Sequence, residues 1–170
     1  GIGFYSVGKN STNVFIGCTF TLSPSLRNNT SLEGFISHCF LFNEQNVRFE
    51  NCAFDNELSE GLFLEDRGTG IIAYESNINI RTDPPPHPFP SPLHNESSFN
   101  NLYRGIEHYA FTDAKIKVNG VKFENTLQCI TANGSNGDNI KNNNFIFHIS
   151  GRFSDESRVD DTVPSSIYDS

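Results

Sequence analysis

Phe99, Phe123 and Phe147 stand at intervals of 24 residues, and other positions keep the same step. Ile116 falls over Ile140, Val121 over Phe145, Asn101 over Asn125, Gly105 over Cys129 and Ile106 over Ile130. A fixed interval of this length marks a repeat architecture, in which each unit is too small to bury its own apolar face and must stack on its neighbours. The earlier half follows the same plan with looser spacing. Gly70-Ile71-Ile72-Ala73-Tyr74 is similar to Gly105-Ile106-Glu107-His108-Tyr109 and to Cys129-Ile130-Thr131-Ala132-Asn133, with Gly34-Phe35-Ile36-Ser37-His38 a weaker copy. Phe15 to Phe20 parallels Phe49 to Phe54, and VRFEN at 47–51 matches VKFEN at 121–125, which predicts one strand seen in two units.

The repeated pieces are strand-like. In Ile116-Lys117-Val118 and Val121-Lys122-Phe123 apolar and charged residues alternate, so the apolar members face inward and the lysines outward. Gly and Asn stand between these runs, where the chain must turn through left-handed backbone. The 16 Phe and 21 Asn, with no Trp or Met, suggest one apolar residue type reused in equivalent inner positions and one polar type reused at turns. No window shows a convincing amphipathic helical period. A β-sandwich core would account for the aromatic content, but not for the constant offset.

In the pattern Phe-x-Asn followed by Gly-Ile, as in Phe99-Asn100-Asn101 with Gly105-Ile106, the chain resembles the right-handed parallel β-helices of the pectate-lyase-like superfamily. The likeness is strongest to the Asn- and Phe-rich repeats of large secreted bacterial surface proteins. It covers most of residues 13–150 and rests on no catalytic signature. It implies an all-β solenoid with coils of about 24 residues. Phe99, Phe123 and Phe147 would form an internal aromatic column, Asn101 and Asn125 an asparagine ladder, and Ile71, Ile106 and Ile130 the adjoining core.

Residues 1–150 read as a single domain interrupted at 82–98, where six prolines predict an extended loop with Phe89 at its tip. The Ser- and Asp-rich segment 151–170 reads as a tail or capping element, and the absence of an initiating Met suggests a piece of a longer protein. A net charge of −8 without a basic run argues against nucleic acid as a partner. No stretch is apolar and long enough to span a membrane. Cys18 and Cys52 share one position of the repeated motif and Cys129 replaces Gly105, so buried thiols are expected, with a disulfide from Cys39 to a neighbour the option in a secreted protein. Neither the cysteines nor the histidines have the spacing of a metal site, and no cofactor motif appears.

Polysaccharide-active enzymes need paired carboxylates, or carboxylates with a basic residue, on one exposed face. The outward positions of the Gly-Ile strands instead read Ile72, Glu107, Thr131, Tyr74, Tyr109 and Asn133, with a single carboxylate, so no catalytic residue is assigned. Tyr74 and Tyr109, with Glu107 and Arg104, form the candidate ligand-binding group, because aromatic rings stack on sugar rings while polar neighbours bind hydroxyls. The expectation is a non-catalytic, secreted or cell-surface module that acts as a rigid scaffold or adhesion surface toward polysaccharide or a cell-surface protein. The alternative is a lyase- or hydrolase-like β-helix whose active site lies elsewhere or has degenerated.

Overall fold

The computed structural model describes residues 2–8, 12–21, 36–56, 67–83, 96–134, 139–141, 144–146 and 167–169. They form parallel β-sheets, without an α-helix among the described residues. With strands numbered along the chain, the first sheet holds β1 (Ile2–Val7), β4 (Ser37–Phe42), β7 (Thr69–Tyr74), β10 (Arg104–Tyr109), β13 (Gln128–Asn133) and β16 (Ile167–Asp169), in that order. The second sheet runs from β2 (Thr12–Ile16) through β5 (Asn46–Glu50), β8 (Ile78–Arg81) and β11 (Ile116–Asn119) to β14 (Asn139–Lys141). The third runs from β3 (Thr19–Thr21) through β6 (Ala53–Asp55), β9 (Ser98–Asn100) and β12 (Lys122–Glu124) to β15 (Asn144–Ile146). Each triplet of consecutive strands therefore supplies one strand to each sheet. Parallel neighbours cannot be joined by a hairpin, and the passage through the two other sheets provides the crossover they require.

Equivalent residues lie side by side, so like packs on like. In the first sheet Cys39, Ile71, Ile106 and Ile130 form one buried row. In the third, Phe54, Phe99 and Phe123 form another, with rings stacked at 4.6 Å and 5.0 Å between centroids and within 8° of parallel. Phe20 extends this row on its other side, 4.7 Å from Phe54. Val47, Ile78 and Ile116, with Phe49, Ile80 and Val118, supply the inward face of the second sheet.

The turns use left-handed backbone at each kind of corner. Asn43, Glu75 and Gly134 take positive φ after first-sheet strands; Gly17, Asn51 and Gly120 do so between the second and third sheets; Asn101 and Asn125 do so after third-sheet strands. Asparagine tolerates this region because its short amide bonds locally. The Asn125 amide donates to the Asn101 side-chain oxygen at 3.2 Å, and the Asn101 amide donates to Asp55 at 3.1 Å.

The register departs from a uniform step. Arg104 lies beside Gln128 and Phe99 beside Phe123, both 24 positions on, but Thr69 lies beside Arg104, 35 on, and Ala53 beside Ser98, 45 on. In the last triplet Val118 pairs with Ile140 and Phe123 with Phe145, a step of 22. Phe145 thus stands in the backbone position expected for Phe147, which itself lies outside the described residues. Ile140 is likewise not beside Ile116, nor Phe145 beside Val121. A slip of two residues preserves which side chains face inward, so alternation in the sequence cannot distinguish 22 from 24. VRFEN and VKFEN, expected as one strand in two units, belong instead to different sheets, as β5 and β12, because a short alternating strand suits either. The copy of the Gly-Ile strand sought from Gly34 lies four residues later, with Cys39 beside Ile71. Of the Pro-rich segment, residues 84–95 lie outside the described residues; of the tail, only β16 is described, as a strand beside β13.

Candidate functional site

Pleating turns alternate residues of each first-sheet strand away from the core. One outward row contains Tyr5, Phe40, Ile72, Glu107 and Thr131; the next contains Val7, Phe42, Tyr74, Tyr109 and Asn133. The strands thus bring Tyr74, Tyr109, Glu107 and Arg104 into one patch. Tyr74 and Tyr109 stack with centroids 4.8 Å apart and planes 13° from parallel. One face of each ring is consequently turned toward the other. Burial raises the Tyr109 pKa, reinforced by the Glu107 carboxylate and Tyr74.

Glu107 is buried rather than exposed, and its carboxylate is ion-paired with the Arg104 guanidinium. The same guanidinium donates through Nε to Gln128 Oε1 at 2.8 Å and lies 4.7 Å above the Tyr103 ring. Burial opposes the Arg104 charge, but Glu107 and Tyr103 outweigh it and hold the pKa above its ordinary value. The carboxylate is thus held against an adjacent cation instead of standing open to solvent. The pair fixes the polar end of the patch.

The aromatic surface extends beyond the residues singled out from the sequence. Tyr5 stacks on Phe40 at 5.4 Å, and Phe40 meets Tyr74 at 5.7 Å in a tilted arrangement. Tyr5 is 61% exposed and Phe42 45% exposed, so this side of the face is the more open. Phe40 and Phe42 were missed because the Gly-Ile copy was sought four residues early, and Tyr5 because its strand precedes the stretch in which the repeat was read. Aligning Cys39 with Ile71 places Phe40 and Phe42 over Ile72 and Tyr74.

The remaining chemistry is dispersed. His108 is buried, with Nε2 2.8 Å from the Ser76 carbonyl oxygen, and its row neighbours are Ala73 and Ala132. On the second sheet Glu50 pairs with Arg48 at 2.9 Å and Arg81 at 2.5 Å, and Arg81 also pairs with Asp83 at 2.9 Å. None of the four cysteines is in a disulfide; Cys39, Cys52 and Cys129 are buried, and burial pushes the Cys39 thiol far above its ordinary range. Among the described residues, no group of three or more His, Cys, Asp or Glu could hold a metal ion, and no helix is long and apolar enough to cross a membrane. Comparison of the chain with family models, with curated proteins and with solved structures gave no match.

Proposed function

We propose that this chain is a module of a right-handed parallel β-helix, of the pectate-lyase-like kind, that serves as a rigid extracellular scaffold with a polysaccharide-contacting face. The fold part of the reading is supported by the regular delivery of one strand to each of three parallel sheets. The right hand is the one that crossovers between parallel strands almost always take. Like rings and like amides in register stiffen such a stack, because each layer is a template for the next.

The observation that carries the functional part is the continuous aromatic face from Tyr5 through Phe40 to Tyr74 and Tyr109, closed on its polar side by the ion-paired Arg104 and Glu107. Because Tyr5 is the most exposed ring of the row, a sugar ring stacks on its open face. The phenol edges of Tyr74 and Tyr109 bind hydroxyls along the chain. This arrangement favours a polymer lying across the strands over a monosaccharide in a pocket.

A glycan array tests the proposal. Wild-type protein should retain polysaccharides, and changing Tyr74 and Tyr109 together to Ser should abolish retention without a large change in thermal stability. Tyr5→Ser should weaken binding. Retention unaffected by all three changes would overturn the assignment of the face. Absence of any glycan retention by the wild type would leave the scaffold role without a sugar ligand.

A further inference from the structure

Cys18 and Cys52 occupy the same corner on successive triplets. Ile16 pairs with Glu50 on one side of them and Thr19 with Ala53 on the other, and the Ala53 N–H donates to the Cys18 carbonyl at 2.9 Å. Their side chains follow the same course. Cys18 Sγ donates to the Ile16 carbonyl at 3.6 Å, and Cys52 Sγ donates to the Glu50 carbonyl at 3.3 Å, two residues back in each case. Cys52 Sγ also lies 3.4 Å from the Phe15 carbonyl oxygen, on the strand that leads into Cys18. Neighbouring parallel strands are about 4.8 Å apart, within the Cα separation of about 4.4–6.8 Å that a disulfide spans.

The two thiols differ in access. Cys18 is half-buried and reachable, whereas Cys52 is buried and close enough to Cys18 for the two to influence each other electrostatically. Cys39 is nearby but lies in the buried inner row of the first sheet, between Phe4 and Ile71. Among the described residues the first triplet also has strand neighbours on one side only in every sheet, and it carries the exposed Tyr5, Val7, Val14 and Ile16. Such an edge, with exposed apolar side chains, is where local opening begins.

We infer that Cys18 and Cys52 are a disulfide-forming pair that fastens the first triplet to the second. A low-molecular-weight disulfide such as oxidised glutathione is the oxidant. The Cys18 thiolate attacks one of its sulfurs, the small disulfide bond breaks, and one glutathione thiolate leaves with the electron pair. Cys52 then gives its proton to solvent and attacks the Cys18 sulfur, releasing the second glutathione thiolate. Two protein thiols have lost two electrons and two protons, and one small disulfide has become two thiols.

The test uses the full chain, reduced, desalted and incubated with oxidised glutathione. Thiols titrated after denaturation should fall from four to two, and peptide mapping should show the Cys18 and Cys52 peptides joined. Cys39→Ser should form the same bond and Cys18→Ser should not. The oxidised protein should melt about 5–10 °C above the reduced one, because the bond closes a long loop. A count that stays at four, a reaction that stops at a glutathione adduct on Cys18, or a bond involving Cys39 or Cys129 would overturn the inference. Should Cys18→Ser fail to fold, the peptide map of the wild type decides alone.

Discussion

At the residue scale, the core depends on what two glycines leave out. A methyl group at Gly105 would lie 2.8 Å from the Phe123 ring and 2.5 Å from the Cys129 carbonyl oxygen; at Gly70 it would lie 2.7 Å from the Phe99 ring and 2.7 Å from the Gly105 carbonyl oxygen. The stacked phenylalanines therefore fill space that the neighbouring sheet vacates. Phe123→Ala should cost about 3–5 kcal/mol and Gly105→Ala about 1–3 kcal/mol, while Lys122→Ala, which removes a partly exposed ion pair with Glu124, should cost under about 1 kcal/mol. Urea denaturation of the three variants checks this order. Equal effects at Phe123 and Lys122 would contradict the packing. The step from Phe99 to Phe123 and the equivalence of Gly70 and Gly105 could be read from the sequence. The fit of these rings and glycines into each other could not, because a missing side chain carries no sign of what occupies its place.

His38 takes the position of Gly70 on the preceding strand and faces Phe54, with ring centroids 6.1 Å apart. It is buried, and neither ring nitrogen has a hydrogen-bond partner among the described residues. Burial lowers its pKa from 6.5 to about 4. Between these values the unfolded chain binds a proton that the folded chain refuses. Stability should fall as the pH drops from about 6.5 to about 4, by about 3 kcal/mol in all, and this residue should add no further loss below that range. His38→Leu should flatten that part of the pH profile of urea unfolding; a slope identical to the wild type's would refute the assignment.

At the scale of elements, corners matter as much as strands. Asn101 and Asn125 combine left-handed backbone with a side-chain bond along the stack, so losing either function should be separable. Asn125→Ala should cost about 1–3 kcal/mol, since it forfeits the bond and keeps a Cβ at positive φ without the short amide that eases it; Asn125→Gly should cost less because the backbone is at ease there. Thermal denaturation of both variants gives the comparison, and equal losses would mean that the backbone contribution is negligible. The asparagine pair could be read from the sequence because its step of 24 is kept locally. The register of β14 and β15 could not, since a two-residue slip leaves every face unchanged. The identity of VRFEN and VKFEN misled for a related reason: a five-residue strand that buries alternate residues suits either sheet.

At the scale of the whole molecule, position within a triplet is fixed while the connections vary in length. Removing residues 104–127 would join Tyr103 directly to Gln128, the residue that pairs with Arg104. It would bring Ile130 beside Ile71 and Ala132 beside Ala73, both apolar and of the sizes that β7 already accommodates. The shortened protein should still unfold in one cooperative transition, at a lower temperature, because such stacks depend on contacts between adjacent layers. Loss of cooperative melting would show that the triplets are not interchangeable. The candidate face was only partly legible. Its tyrosines were recognisable as outward residues, but the mutual stacking that covers one face of each depends on lateral spacing, which no linear pattern contains.

The Tyr74 and Tyr109 pair also has an optical consequence. The chain contains no tryptophan and five tyrosines, so tyrosine emission is not masked. Two phenols held nearly parallel at 4.8 Å share their electronic excitation, which gives a strong near-ultraviolet dichroism signal and quenched fluorescence. The protein thus carries an intrinsic gauge of the alignment between β7 and β10. Its signal should vanish when those strands slide or separate, even while far-ultraviolet dichroism still reports abundant sheet.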